Sequence, residues 1–438
     1  MNSHPVKDIL SSRESGRTVG VYSACTASEL AIEACIDRAM LNGDMVLIEA
    51  TANQVNQYGG YTGMAPADYA RFVLGIAGRR GLPHERVILG GDHLGPLPWA
   101  SMGAERAMPE ANKLVRRFVH AGFTKIHIDT SMRLADDDGK QALDTALIAR
   151  RAVELIRSAE TAHAEAIAAG DSLLAPVYVI GSEVPIPGGA QDAETMKVTD
   201  PSDFVDTVEY FKNEFSRAGL EGVWERVIAV VVQPGVEFGD EEVHEYDRIA
   251  ASALTSSLAD YPGLVFEGHS TDYQQAKKLR EMVEDGMAIL KVGPALTFAL
   301  REGFLALECM EKELLNDRRV ELSKYSEILE RQMTDNPEHW IKHYRGDEES
   351  LRFKRRFSYS DRSRYYLPAQ PVRAAAEKLM LNLSMVNIPD TLISQYMPLQ
   401  YVRVRSGQLS KEGRSLVKDR VGDTVDGYLY ATGTVPSA

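Results

Sequence analysis

Residues 86–96 read RVILGGDHLGP. A largely apolar run, the composition of a buried strand, ends in an acid and an imidazole set side by side among glycines and a proline. Two ionisable side chains at one strand end either cap a turn or project into a site. Which of the two holds depends on how the other strands of the chain end.

Comparable runs recur: VGVYSAC at 19–25, MVLIEAT at 45–51, KIHIDTS at 125–131, PVYVIGSEVP at 176–185, VIAVVVQPG at 227–235, LVFEGHS at 264–270 and AILKVGP at 288–294. Helix-like segments lie between them, among them SELAIEACIDRAMLNG, which starts at Ser28 and stops at Gly43, PEANKLVRRFVHAG and TDYQQAKKLREMVEDG. Continuously apolar strands alternating with helices mean a parallel sheet covered on both faces. About eight such units is the number that closes a (β/α)8 barrel, the TIM barrel. A doubly wound open sheet usually has fewer strands and often a glycine-rich phosphate fingerprint, which this sequence lacks. The expected fold is therefore α/β, a TIM barrel over residues 1–300 carrying the site. After about residue 300, LALECMEKELLNDRRVELSKYSEILERQM and VRAAAEKLMLNLSMV read as helices without strands, and 339–368 is basic and aromatic. Residues 301–438 are expected to form a helical extension packed on the barrel.

The 438 residues suffice for one large domain with an annex, or for two domains. Hydrophobic content of 44% and charged content of 26% are ordinary for a soluble globular chain. A net charge of −14 argues against nucleic acid or an anionic membrane as partner, while leaving room for a local positive pocket. Cys25, Cys35 and Cys309 have no metal-type spacing, and their odd number gives no disulfide framework, which suits a reducing compartment. The N-terminus lacks an apolar signal core, and no apolar run is long enough to cross a membrane, so a cytoplasmic protein is expected.

In a parallel barrel the active site lies at the C-terminal strand ends. Those ends carry Glu49, Asp92, His93, Asp129, Glu183, Gln233, Glu267, His269 and Lys291. Scaffolding does not need so many ionisable groups in one ring, so Asp92 and His93 are expected to point into a shared mouth. Two histidines and a carboxylate from different strands make a catalytic zinc or manganese site with an open position, here His93, His269 and Glu183. Glu267 shares a strand face with His269 by period two; it either orients a ligand or pairs with Lys291. His127, in mid-strand, is expected to face a polar interior layer and is left outside the ligand set. Asn53, Gln54, Asn56 and Gln57 in the loop TANQVNQYGGYTGM (51–64) can donate and accept as a polyol requires. Ser270 and Thr271 are expected at a helix N-terminus, an anion seat that capping alone would equally explain, with Lys291 nearby. No GxxxxGK[ST] stretch supports a P-loop kinase.

The stretches LIEATANQVNQYGGYTGM, ILGGDHLGP, GSEVPIPGG, VVQPGVEFG, HSTDYQ, AILKVGPALTFALRE, SYSDRSRYYLP and ISQYMPLQ resemble the GatZ/KbaZ family, from about residue 8 to beyond 400. The resemblance implies carbohydrate metabolism around a class II tagatose-bisphosphate aldolase, of which members are named the large subunit. It implies a divalent metal, Zn2+ or Mn2+, a ketose or ketose phosphate as substrate, and a smaller class II aldolase subunit as a partner. Some members carry a tagatose-6-phosphate kinase label, which the motifs here do not support; some relatives are 4-epimerases of ketohexoses, their phosphates or uronates. Asp92-His93 is similar to the aldolase pair of acid–base residue and metal ligand. Gln233 stands where an aldolase would offer a further histidine. With Asp92 as base and Asp129 as second acid–base group, the expected chemistry is metal-assisted retro-aldol cleavage, with 4-epimerisation and a non-catalytic stabilising subunit as alternatives. The sequence leaves the oligomeric state open.

Overall fold

The computed structural model describes residues 3–139, 143–182, 197–316 and 320–433. Eight parallel strands close a barrel: β1 Val21–Cys25, β2 Val46–Thr51, β3 Val87–Leu94, β4 Lys125–Ile128, β5 Val177–Ile180, β6 Val227–Val232, β7 Val265–Gly268 and β8 Met287–Val292. Each pairs with its neighbours in chain order, and β8 closes on β1. The strands are the eight runs legible in the sequence, and each is followed by a helix, as the parallel topology demands.

The helix Glu29–Asn42 lies between Ser28 and Gly43, whose φ of 76° needs a residue without Cβ. Two other helices differ from expectation. One spans Ala104–His120 and starts five residues before Pro109, where the sequence suggests it begins; Pro109 lies inside the helix as its sixth residue, at the cost of one i→i−4 hydrogen bond. The other begins only at Ala276, after an irregular turn through Ser270 and Tyr273, both at positive φ.

Period two sorts the strands into layers. Residues of the lower strands, including Leu47, Ile88, Val177, Val179, Val231 and Ile289, form an apolar plug at the bottom of the barrel. The N-terminal helix Pro5–Ser11 seals this end by adding Val6 and Leu10. Burying two such side chains contributes roughly 1.5–3 kcal/mol each. Two residues further along the same strands, the interior turns ionic, with Glu49, Lys125 and Glu267 fully buried. A further step brings Asp92, His127, His269 and Lys291, at the rim.

The helix Pro294–Leu315 follows β8 and runs without a break across residue 300, where the sequence pattern suggests the barrel ends. The remaining helices are Tyr325–Asp335, Glu348–Phe357, Gln370–Ser384, Asp390–Tyr396, Pro398–Arg405 and Gly413–Thr432. The last packs against Glu29–Asn42, Ala276–Glu284 and Pro294–Leu315. It is tied there by Arg38, which bridges Asp419 at 3.0 Å and Asp426 at 2.7 Å, and by the Tyr428 hydroxyl, which donates to the Thr271 carbonyl at 2.9 Å. No helix of the described residues is long and apolar enough to cross a membrane.

Candidate active site

The motif at 90–96 works through a bulge. Gly90 and Gly91 pair with Lys125 and Ile126, but Leu94 pairs with Ile128, so β3 carries one residue more than β4 over this interval. Strict alternation would turn His93 away from Asp92. The bulge, with His93 at φ 47°, brings both into the mouth. The glycines have steric reasons. A Cβ on Gly90 would stand 2.6 Å from Glu49 Cγ, and one on Gly95 would stand 1.7 Å from the Asp129 carbonyl oxygen.

Three imidazoles meet here. Ring centroids of His93, His127 and His269 are 5.0, 4.9 and 5.1 Å apart pairwise, each pair edge to face. Each ring has one nitrogen beside a carboxylate: His93 Nδ1 at 2.8 Å from Asp129 Oδ2, His127 Nδ1 at 2.9 Å from Asp92 Oδ1, and His269 Nε2 at 2.9 Å from Glu267 Oε1. An ionised carboxylate only accepts, so the nitrogens of His93 and His269 beside Asp129 and Glu267 carry the protons and the opposite ones carry free lone pairs, whereas His127 Nδ1 also accepts from the His93 backbone N–H at 3.1 Å. His127 Nε2 is buried and has no hydrogen-bond partner. One donor atom from each of Asp92, His93, His127 and His269 lies within 4.8 Å of the others, an arrangement compatible with a divalent metal.

Below the imidazoles two lysines balance three carboxylates. Lys125 pairs with Glu267 and stands 2.9 Å from Glu49; Lys291 pairs with Glu49, lies 2.8 Å from Asp92 and is 3.7 Å from Glu267. Burial opposes ionisation of Asp92, yet Lys291, His93 and His127 outweigh it and hold its carboxyl well below the usual range. Glu267 is held low in the same way, burial being overcome by Lys125 and Lys291. Burial also opposes Asp129, but its bond and charge interaction with His93 bring it to about 2. Burial disfavours the His93 imidazolium, but Asp92 and Asp129 push its pKa up, whereas burial dominates at His269 and lowers it to about 3. Burial would discharge Lys291, but Asp92 and its neighbours hold it charged, with a pKa well above 10.5.

Above the cluster lies a cavity of about 630 Å³, lined by Asp92, His93, His269 and Lys291, by Asn53, Gln54 and Tyr61 of the 51–64 loop, by Ser270, and by Arg364, Tyr365 and Leu367 of the C-terminal extension. That is a volume typical of a small-molecule site.

Several expected contacts fall elsewhere. Gln57 donates to Glu110 and does not line the cavity. Gln233 spends its side-chain oxygen on the backbone N–H groups of Gly235 and Val236, so it closes its own turn rather than facing substrate. Thr271 is buried, and its hydroxyl donates to the Lys291 carbonyl. Neither Ser270 nor Thr271 begins a helix, so the expected anion seat is not formed there. The helix that does start at the cavity, Pro294–Leu315, has its first N–H groups capped by Asp272 through Gly293 and Ala295; burial raises the Asp272 pKa to about 6 against those two bonds. Glu267 lies beneath the cavity and holds His269. Asp129 holds His93 and does not line the cavity. Glu183 lies outside the described residues.

The sequence reading omits Lys125, and it places His127 in the polar interior layer but outside the ligand set, whereas the structure groups it with Asp92, His93 and His269. The signal for both was the alternation in KIHID, where positions 125, 127 and 129 share one face.

A family model described as D-tagatose-1,6-bisphosphate aldolase subunit GatZ/KbaZ-like matches residues 6–433. The chain belongs to the GatZ/KbaZ-like family. A crystal structure of a probable tagatose 6 phosphate kinase from Sinorhizobium meliloti 1021 is 44% identical, covers 94% of this chain and 100% of its own, and superposes with a TM-score of 0.86. More distant similarity runs to fructose-bisphosphate aldolase from Campylobacter jejuni, at 15% identity over 88% of this chain and 94% of that one, with a TM-score of 0.47. The YdjI aldolase from Escherichia coli K12 is 10% identical over 88% of this chain and 97% of that one, with a TM-score of 0.40.

Proposed function

We propose that this chain carries out metal-assisted retro-aldol chemistry on a ketose or ketose phosphate. The observation that supports it most is the triangle of imidazoles, each fixed by a carboxylate at one nitrogen and presenting the other, with the buried Nε2 of His127 left without a partner. His93, His127 and His269 are the ligands we infer, with Glu183 a further candidate. When bound there, a divalent ion, Zn2+ or Mn2+, supplies Lewis-acid polarisation of a carbonyl and its neighbouring hydroxyl.

The chain's own residues do the rest. Asp92, held ionised by Lys291, takes the proton of the C4 hydroxyl through the carboxylate oxygen not bound to His127. The O–H electrons form the C4 carbonyl, and the C3–C4 pair moves onto the former ketone to give an enediolate and an aldehyde. Asn53, Gln54 and Ser270 line the space for the sugar hydroxyls. Lys291 does not act by imine formation, because that needs a neutral amine and its carboxylates keep it protonated. Departure of the aldehyde gives cleavage; its rotation and re-addition give 4-epimerisation.

The family description as an aldolase subunit favours a second reading, in which the barrel stabilises a separate class II aldolase. One experiment separates them. Metal content is measured for the wild type, His127→Ala and Glu183→Ala, and the metal-loaded chain alone is incubated with tagatose, fructose, their 6-phosphates and 1,6-bisphosphates, and ketouronates, with products followed by NMR. Conversion that Asp92→Asn abolishes while the metal stays bound supports chemistry by this chain. No conversion, together with activation of an added class II aldolase, supports the stabilising role.

A further inference from the structure

Inverting C4 by cleavage and re-addition makes a demand that cleavage alone does not. The C4 oxygen loses its proton on one face and regains one after the aldehyde has turned. It therefore meets two acid–base groups on different walls of the cavity. Asp92 serves the wall built by the strand ends. Asp129 cannot serve the other, since its Oδ2 holds His93, its Oδ1 accepts from Ser131, and it does not line the cavity.

The other wall comes from the C-terminal extension, where Tyr365 faces the cavity. Arg364 Nη2 and Arg362 Nη1 donate to its hydroxyl oxygen at 3.2 and 3.4 Å. Its ring is fixed edge-on by Tyr61, centroids 4.6 Å apart, and stacked on His339 at 4.8 Å. With two guanidinium groups aimed at the oxygen and no acceptor for its own proton among the described residues, the O–H is free to donate into the cavity. Burial resists ionisation of Tyr365, but the charges of Arg364 and Arg362 outweigh it and bring its pKa below 10, whereas burial pushes that of Tyr61 up.

We propose that Tyr365 is the second acid–base residue of this site and protonates the C4 oxygen when the aldehyde re-adds, so that the reaction is inversion at C4. The inference rests on the retro-aldol reading above. In the return step C3 of the enediolate attacks the opposite face of the aldehyde, the carbonyl pair moves onto the C4 oxygen, and that oxygen takes the phenolic proton. The proton gained by Asp92 and the one lost by Tyr365 are equal in number, and exchange with water resets both groups.

The test uses the full chain loaded with Zn2+ or Mn2+ and assayed on D-tagatose, D-fructose and their 6-phosphates. Tyr365→Phe is expected to lower C4 inversion by at least about 100-fold while melting temperature and bound metal stay as in the wild type. Independently of turnover, the difference in 295 nm absorbance between wild type and variant is expected to show one phenol ionising below pH 10. Arg364→Gln keeps the phenol and is expected to raise that midpoint, and the matching limb of the rate profile, by about one pH unit or more; it decides the matter if Tyr365→Phe does not fold. An active wild type with an equally active Tyr365→Phe, or a midpoint that Arg364→Gln leaves in place, overturns the assignment of Tyr365 alone. A metal-loaded wild type that converts no ketose overturns the retro-aldol reading and the role of Tyr365 with it.

Discussion

Replacing Lys125 by Met tests the ionic layer on which the imidazoles stand. Lys125 is fully buried and forms ion pairs with Glu49 and Glu267. At an effective dielectric of about 20, the 2.9 Å pair with Glu49 alone is worth roughly 6 kcal/mol before desolvation is counted. Methionine nearly matches the lysine stem in volume, so little cavity energy enters. What remains is one ammonium, Lys291, for the carboxylates of Glu49, Asp92 and Glu267. Removing one partner of a buried pair typically costs about 3–5 kcal/mol, because the other charge is left uncompensated. The expected loss in equilibrium urea unfolding is of that size. Adding Glu49→Gln and Glu267→Gln to Lys125→Met removes the stranded charges and is expected to recover most of it. A Lys125→Met protein within about 1 kcal/mol of wild type, or a triple variant worse than the single one, would show that these charges do not set the stability of the layer.

Asp129→Asn removes the carboxylate that orients His93, and competition with a chelator is expected to show metal affinity reduced about 10–100-fold, with unchanged affinity refuting the orienting role. Gly95→Ala puts a Cβ 1.7 Å from the Asp129 carbonyl oxygen and is expected to cost about 1–3 kcal/mol or more in urea unfolding and to weaken metal binding as well. His4 accepts from the Val6 N–H through Nδ1 and contacts Thr124 through Nε2, and burial lowers its pKa from 6.5 to about 4. Its neutral form is favoured in the fold, so its contribution is complete above pH 6.5 and is lost as pH falls towards 4. The wild type is expected to lose about 3 kcal/mol more than His4→Gln between pH 7 and 4, and parallel pH profiles would count against this linkage.

How much of this was legible depends on which physical rule governed each residue. The barrel was readable because eight buried parallel strands must be apolar runs, and period two then assigned Asp92, Glu267 and His269 to one interior. The same rule applied to KIHID reaches Lys125 and His127, but a histidine in mid-strand gives no local sign that its neighbours across the barrel are two more imidazoles. The bulge at Gly91–Leu94 was not legible, since it shows only in the pairing of β3 with β4. Gln57, Gln233 and Thr271 are polar residues in loops and turns, and composition cannot tell a side chain that completes a turn from one that meets a ligand. The segment SYSDRSRYYLP was legible only as a resemblance, because its place over the barrel mouth follows from tertiary packing across hundreds of residues.

The energetics of the site bear on whether the barrel supports chemistry or only a partner. His93 and Ser270 hold positive φ at strand ends, and each such residue costs of order 1–3 kcal/mol. Three imidazoles, four carboxylates and two lysines are desolvated together, an arrangement that well-packed apolar residues would usually match or exceed in stability. A barrel interior needs none of this to stay closed, as the apolar plug sealed by Val6 and Leu10 demonstrates at the other end of the same strands. The C-terminal extension adds a constraint of its own. Arg301 binds the carbonyls of Arg356 and Ser358, and Thr297 and Ser363 donate to Asp361, so the segment leading to Arg364 and Tyr365 is fixed over the cavity. A surface that served only to hold another subunit would not require a pre-positioned phenol and guanidinium facing the cavity over the imidazoles. The stored strain, the buried charge and the fixed wall converge on one cavity, and that convergence is why the retro-aldol reading outweighs the supporting one.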